Sequence, residues 1–279
     1  MDNIDNSDST SSNEGSTPEV QPELELSHSD KMVGILTEPS TTFGKMSQFP
    51  PRTKDWFIPM LILLVVVFIS QILLTSNKEI YYQIKEKQLA RIEKNLNQMV
   101  AEGKMTKDQM NNQMNAIQNR MDQGITPIQI VFQGLAIFIG GFIVFFILTG
   151  IYFLFARFVL KGTGSYQSAL VASGMTAYIG VIETILVTIL AFVMGRMLSG
   201  FSVAAFMNVD STTLGGFFLA KLNVITIWSY IVLGIGLAKM FKSSSVMKYF
   251  VLVFGIWIIG GFLLFLLSEV VPFLKFFGI

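Results

Sequence analysis

Residues 56–75 read WFIPMLILLVVVFISQILLT, twenty residues without a formal charge. An α-helix of that length crosses about 30 Å of hydrocarbon. Trp56 stands where an interfacial aromatic belongs, and Pro59 falls in the first turn, where its missing N–H costs little. This stretch is therefore a first membrane span. Four more apolar segments follow, at about 127–156, 168–195, 214–238 and 246–268. Each is bounded by charge or by proline: Arg157 and Lys161, then Arg196, then Lys239 and Lys242, then Glu269 and Pro272. The expected fold class is all-α, a polytopic membrane protein of about five transmembrane helices spread over residues 56–270. Residues 271–279 form a short C-terminal tail.

The residues before the first span differ in kind. Residues 1–30 carry eight acidic residues and no Lys or Arg. The whole chain is +1, so removing those eight negative charges leaves +9 on residues 31–279. A basic body on long apolar segments suits a protein held beside anionic headgroups. Residues 1–31 are too polar to offset chain entropy and read as a disordered acidic tail. They have no basic start and no apolar stretch, so no secretory signal is expected there. Residues 32–55 read as a membrane-surface amphipathic segment: an apolar patch at Met32–Leu36, a break at Pro39, and Phe43 and Met46 three apart.

Residues 76–126 hold fourteen charged residues and cannot lie in lipid. Ile84, Ile92, Leu96 and Met99 mark one amphipathic helix. Thr106-Lys107-Asp108-Gln109 has the form of a capping box, and Met110, Met114, Ile117 and Met121 mark a second helix. The expectation is an extramembrane helical hairpin between the first and second spans, with the Met stripe packed on its partner helix.

An odd span count puts the termini on opposite sides. With the N-terminus inside, the inner short segments hold Lys45, Arg52, Lys54, Arg157, Lys161, Lys239, Lys242 and Lys248, against Arg196, Lys221 and Lys275 outside. The charged hairpin counts against this orientation unless it is treated as a nearly charge-balanced folded unit. A cytoplasmic N-terminus is the expected arrangement.

Several phrases resemble the Ypt-interacting-protein (Yip) family of membrane proteins. Residues 34–43, GILTEPSTTF, followed by Trp56 and Pro59, resemble its N-terminal region. Lys161-Gly162-Thr163-Gly164-Ser165-Tyr166 is similar to its Gly-containing loop between the second and third spans. Ile227-Trp228 with Leu233-Gly234-Ile235-Gly236-Leu237 resembles its fourth span. The resemblance covers about 32–270 and implies five spans in this order. The long hairpin resembles the bacterial branch, which implies a bacterial cytoplasmic (inner) membrane. Eukaryotic members bind Rab-type GTPases in vesicle traffic, a role with no bacterial counterpart.

Glu183 and Lys221 form the candidate intramembrane polar site. An ionised carboxylate at mid-span costs at least about 2.5–3.5 kcal/mol, so Glu183 is expected to face the bundle, with Lys221 the obvious partner. It could bind a cation or relay protons, or clamp two helices. Ala172, Thr176, Gly180, Thr184 and Thr188, four apart, form a candidate helix-packing seam. Trp56, Arg157 and Lys161 are the interfacial, headgroup-facing residues. The chain has no cysteine, and its single histidine, His28, lies in the tail. That excludes thiol chemistry and any His-Glu-x-x-His zinc site in the body. Lys161–Ser165 lacks the spacing of a phosphate-binding loop. No enzyme, metal, cofactor, nucleotide or nucleic acid is expected. The expected partners are the lipid bilayer, membrane or cytoplasmic proteins, and further copies of the chain. Two functions follow: a membrane organiser or adaptor, or a small transporter or channel using Glu183.

Overall fold

The computed structural model describes residues 25–270. The expected disordered tail lies outside the described residues up to residue 24, as does the C-terminal tail 271–279. Residues 25–31, read from sequence as the end of the tail, belong instead to the folded unit. Twelve α-helices follow one another among the described residues. They are α1 His28–Thr37, α2 Pro39–Met46, α3 Thr53–Ser76, α4 Lys78–Ala101, α5 Lys107–Asp122, α6 Pro127–Leu154, α7 Tyr166–Met194, α8 Val203–Met207, α9 Leu214–Lys221, α10 Val224–Met240, α11 Val246–Gly255 and α12 Gly261–Val270. Single π turns at Phe155–Val159 and Ile256–Gly260 extend α6 and join α11 to α12. No strand occurs among the described residues; one isolated bridge links Ser202 and Asn223.

Four helical segments are long and apolar enough to cross a membrane: Thr53–Ser76, Pro127–Val159, Tyr166–Met194 and Val246–Ser268. The fifth apolar helix, α10, has only 17 residues. The expected continuous span at 214–238 is corrected to a broken one, α9 and α10 separated by Leu222 and Asn223. The break has a local cause. Leu222 leaves helical geometry at ψ 71°. The Asn223 side chain then accepts hydrogen bonds from the Ile225 and Thr226 N–H groups at 3.1 Å each, starting a new helix.

The third span, α7, is the central helix. It runs alongside α3 in the same direction, with Trp56 at the level of Gly174 and Leu63 at the level of Gly180. Gly174 is required there: a Cβ would overlap the Trp56 backbone. On another side α7 meets α10, and Ala172, Met175 and Ile179 share a core with Val232, Leu233 and Leu237. The second span packs on α3 through stacked rings, Trp56 on Phe145 at 5.8 Å and Phe57 on Phe142 at 5.7 Å. Long, outward-facing apolar runs on α6 and on the α11–α12 helix stay exposed, as a lipid-facing surface requires.

Helices α1 and α2 lie where the sequence placed an amphipathic surface segment, but their apolar residues turn into the bundle. Ile35 and Phe43 are 0% exposed and join the α7–α10 core. Phe43 Cζ would lie 2.7 Å from a Cβ at Gly236, so the ring seats against the α10 backbone. Each side chain removed from water in this way contributes about 1.5–3 kcal/mol. The segment is part of the core at this end.

The hairpin α4–α5 starts at Asn77, whose side chain caps α4 by accepting from Ile80 N–H at 3.1 Å. Its base is tied to α7: the Gln83 amide donates to the Gly195 carbonyl at 2.9 Å and accepts from Met197 N–H at 3.3 Å. Tyr81 donates to the Met121 carbonyl at 2.9 Å, and Lys85 pairs with Asp122. The expected capping box at Thr106 and Gln109 forms. The Met110, Met114, Ile117 and Met121 stripe is only half covered, and α5 has no buried residue.

Candidate functional site

Two polar centres interrupt the apolar bundle. The first surrounds Glu183. Residue 183 lies nine positions beyond Gly174, which sits level with Trp56, so the carboxylate is about 13 Å below the membrane entry of α3 at 1.5 Å per residue. After α7 the chain folds back to this depth at Phe201–Ser202 and again at Leu222–Asn223. Glu183 Oε1 accepts from the Asn223 amide at 2.6 Å and from Phe201 N–H at 3.4 Å. Ser202 Oγ accepts from Ala205 N–H at 3.2 Å and starts α8, while Val203 N–H donates to the Leu222 carbonyl at 3.0 Å. Asn223 and Ser202 are both 6% exposed. Away from water each unmade backbone bond costs several kcal/mol, so these side chains make the non-helical segments possible at this depth.

Lys221 does not meet Glu183. Its ammonium donates to the Trp257 carbonyl at 3.3 Å and lies 5.0 Å and 5.1 Å from the ring centres of Phe217 and Trp257. The two rings supply a cation–π environment in place of a carboxylate. The pairing suggested by sequence is thus replaced by two separate arrangements, with Asn223 taking the expected place of Lys221.

Of the seam residues, Ala172 is fully buried and Thr176 and Thr188 nearly so. Gly180 faces Leu63 of α3. The hydroxyls of Thr176, Thr184 and Thr188 donate within α7, to Ser173, Gly180 and Thr184 carbonyls at 2.6, 2.8 and 2.7 Å. Among the described residues they form no interhelical hydrogen bond. The tightest approach, at Gly174, lies off the four-residue ridge.

The second centre was not read from the sequence. Lys31 of α1 donates to Asp55 of α3 at 2.9 Å and to Glu25 at 3.1 Å. Arg52 also pairs with Glu25. His28 Nε2 lies 2.7 Å from the Tyr178 hydroxyl of α7, and its Nδ1 lies 3.6 Å from Asp55 Oδ1. Partial burial alone would raise the Glu25 pKa. The Lys31 hydrogen bond and the charges of Lys31, Arg52 and Lys54 outweigh it and hold the carboxyl below its usual 4.5. The sequence signals only the start of the helix that carries Lys31: Ser27 N-caps α1, accepting from Asp30 N–H at 3.1 Å.

Of the interfacial candidates, Trp56 is half-buried between α6 and α7. Arg157 and Lys161 are exposed, and Arg157 donates to the Gly162 carbonyl at 2.9 Å. The Gly162 and Thr163 N–H groups donate to the Ala156 and Phe241 carbonyls at 3.0 and 3.2 Å. These committed donors cannot cradle a phosphate. Among the described residues no group of three His, Cys, Asp or Glu side chains is placed to hold a metal ion.

Comparison with curated proteins and with solved structures gives no match. The family model of the Yip1 domain matches residues 33–267, from the middle of α1 to the last turns of α12. That range takes in the Glu183 centre and the order of spans around it, and of the second centre Arg52, Asp55 and Tyr178, and the chain belongs to the Yip1 domain family.

Proposed function

We propose that this protein is a non-catalytic membrane organiser or adaptor of a bacterial cytoplasmic membrane, with its N-terminus in the cytoplasm. The observation that carries the proposal is the occupation of Glu183. Its Oε1 joins α7 to Phe201 and Asn223, so the carboxylate is used as a clamp between elements. Lys221 is likewise held by a carbonyl and two rings rather than aligned with Glu183. This speaks against a relay through the pair. The hairpin α4–α5, anchored at its base and carrying a half-covered Met stripe, is the element suited to a protein partner. Further copies of the chain would meet it laterally through the exposed faces of α6 and α11–α12. The orientation is supported by the basic residues of the end holding α1, α2 and the 157–165 loop, which suit the anionic cytoplasmic leaflet. Exposed Arg157 and Lys161 would meet headgroups there.

Capture of membrane partners tests the proposal. Deleting residues 1–55 would remove Ile35 and Phe43 from the core, so the variants should be a truncation at residue 24 and replacement of 88–118 by a short Gly/Ser linker. Specific partners held by the full chain should be lost from at least one variant. Retention of the same partners by both, with solute movement by the reconstituted protein, would overturn it.

A further inference from the structure

Helices α3 and α6 touch along most of their length and then separate. Phe68 lies over Gly134 and against Phe138 at 6.4 Å. Beyond that point a cleft of about 310 Å³ opens between Ile72, Thr75 and Ser76 of α3, Ile130 and Gln133 of α6, and Tyr81, Gly124 and Ile125. Its far end is closed by the hydrogen bond from Tyr81 to the Met121 carbonyl. The cleft therefore has a floor and a ceiling. It lies at the ends of two spans, where acyl chains give way to headgroups.

We propose that this cleft is a binding site for a zwitterionic glycerophospholipid of the phosphatidylethanolamine class. Thr75, Ser76, Tyr81 and Gln133 bring polar groups to the lining beside Ile72, Ile125 and Ile130, and it holds no Asp, Glu, Lys or Arg. A ligand with net charge would find no counter-charge, whereas an uncharged acyl chain would leave the polar groups unpaired. The Thr75, Ser76 and Tyr81 hydroxyls already donate their protons to backbone carbonyls, at 2.8, 2.8 and 2.9 Å. Only their lone pairs face a ligand, so they suit a donor such as an ammonium group. Gln133 has no side-chain hydrogen bond among the described residues, and its amide N–H groups can serve a phosphate oxygen. Ile72, Ile125 and Ile130 flank the start of an acyl chain. Acceptors and donor together match the two ends of a zwitterion.

The full-length protein should be reconstituted with equal amounts of phosphatidylethanolamine and phosphatidylglycerol, stripped progressively with detergent, and weighed intact with its retained lipid. Wild type should keep about one phosphatidylethanolamine after bulk lipid has left. Ile130→Trp, which fills the cleft, should keep none, and Val193→Trp on an exposed site elsewhere should behave as wild type. Gln133→Leu should lower retention about fivefold, the factor that one lost hydrogen bond gives. If Ile130→Trp fails to fold, Gln133→Leu and Thr75→Val decide. Equal retention of phosphatidylglycerol, unchanged retention in the cleft variants, or loss of a dimer instead of a lipid would overturn the assignment.

Discussion

Lys31 Nζ lies 2.9 Å from Asp55 Oδ2, fastening α1 to the first turn of α3, and the two residues are 2% and 3% exposed. A buried pair of this kind holds its elements firmly because neither charge has water to fall back on. Asp55→Ala leaves Lys31 without its closest partner and should cost about 3–5 kcal/mol. Replacing both, with Lys31→Met and Asp55→Leu, should recover most of that loss. Unfolding followed by circular dichroism in detergent micelles measures both.

The same fastening should respond to acid through Glu25. Its carboxyl is held below 4.5 in the folded chain, so its contribution is fully present above the unfolded value and disappears as pH falls through the folded one. Stability in the same unfolding assay should fall as pH drops below 4.5. Glu25→Gln should be less stable than wild type at pH 7 and lose that part of the acid response.

Close approach at Gly174 gives a sharper contrast. Gly174→Ala drives a methyl into the Trp56 backbone and should cost about 1–3 kcal/mol by overpacking. Gly140→Ala, in the same class of apolar helix but with nothing within 4 Å, should stay within about 0.5 kcal/mol of wild type. Equal effects in the two variants would remove Gly174 as the α3–α7 contact.

At the clamp, Asn223→Ala removes both the donor to Glu183 and the cap of α10. It should destabilise the protein by about 1–3 kcal/mol. Glu183→Gln keeps an oxygen acceptor for Asn223 and Phe201 N–H and should stay within about 1 kcal/mol of wild type. The same unfolding assay separates them.

The long spans were legible because uninterrupted apolar length has few other meanings. The hairpin was legible because its two helices carry their own periodicity and a capping box. The broken fourth span was not, since Leu222 keeps the run apolar and Asn223 reads as one tolerated polar residue. Only its geometry reveals a cap. The Lys31–Asp55 pair was invisible for a different reason: its members are 24 positions apart, in stretches that read as tail and hinge. Glu183 reads from the sequence as costly, and charge alone points to Lys221 as its partner. An amide two residues from that lysine makes the bond instead. The small-residue ridge and the closest contact both lie on α7, but that contact falls at Gly174, off the ridge, because small residues say where approach is allowed and not where a neighbour crosses.

The central claim, that Glu183 is a clamp in a non-transporting protein, is tested most directly by ion flux. Wild type and Glu183→Gln should be reconstituted in liposomes and followed for proton- or cation-driven movement across the membrane. The account predicts no flux above protein-free liposomes in either, with both proteins folded. A flux carried by wild type and abolished by Glu183→Gln would contradict it.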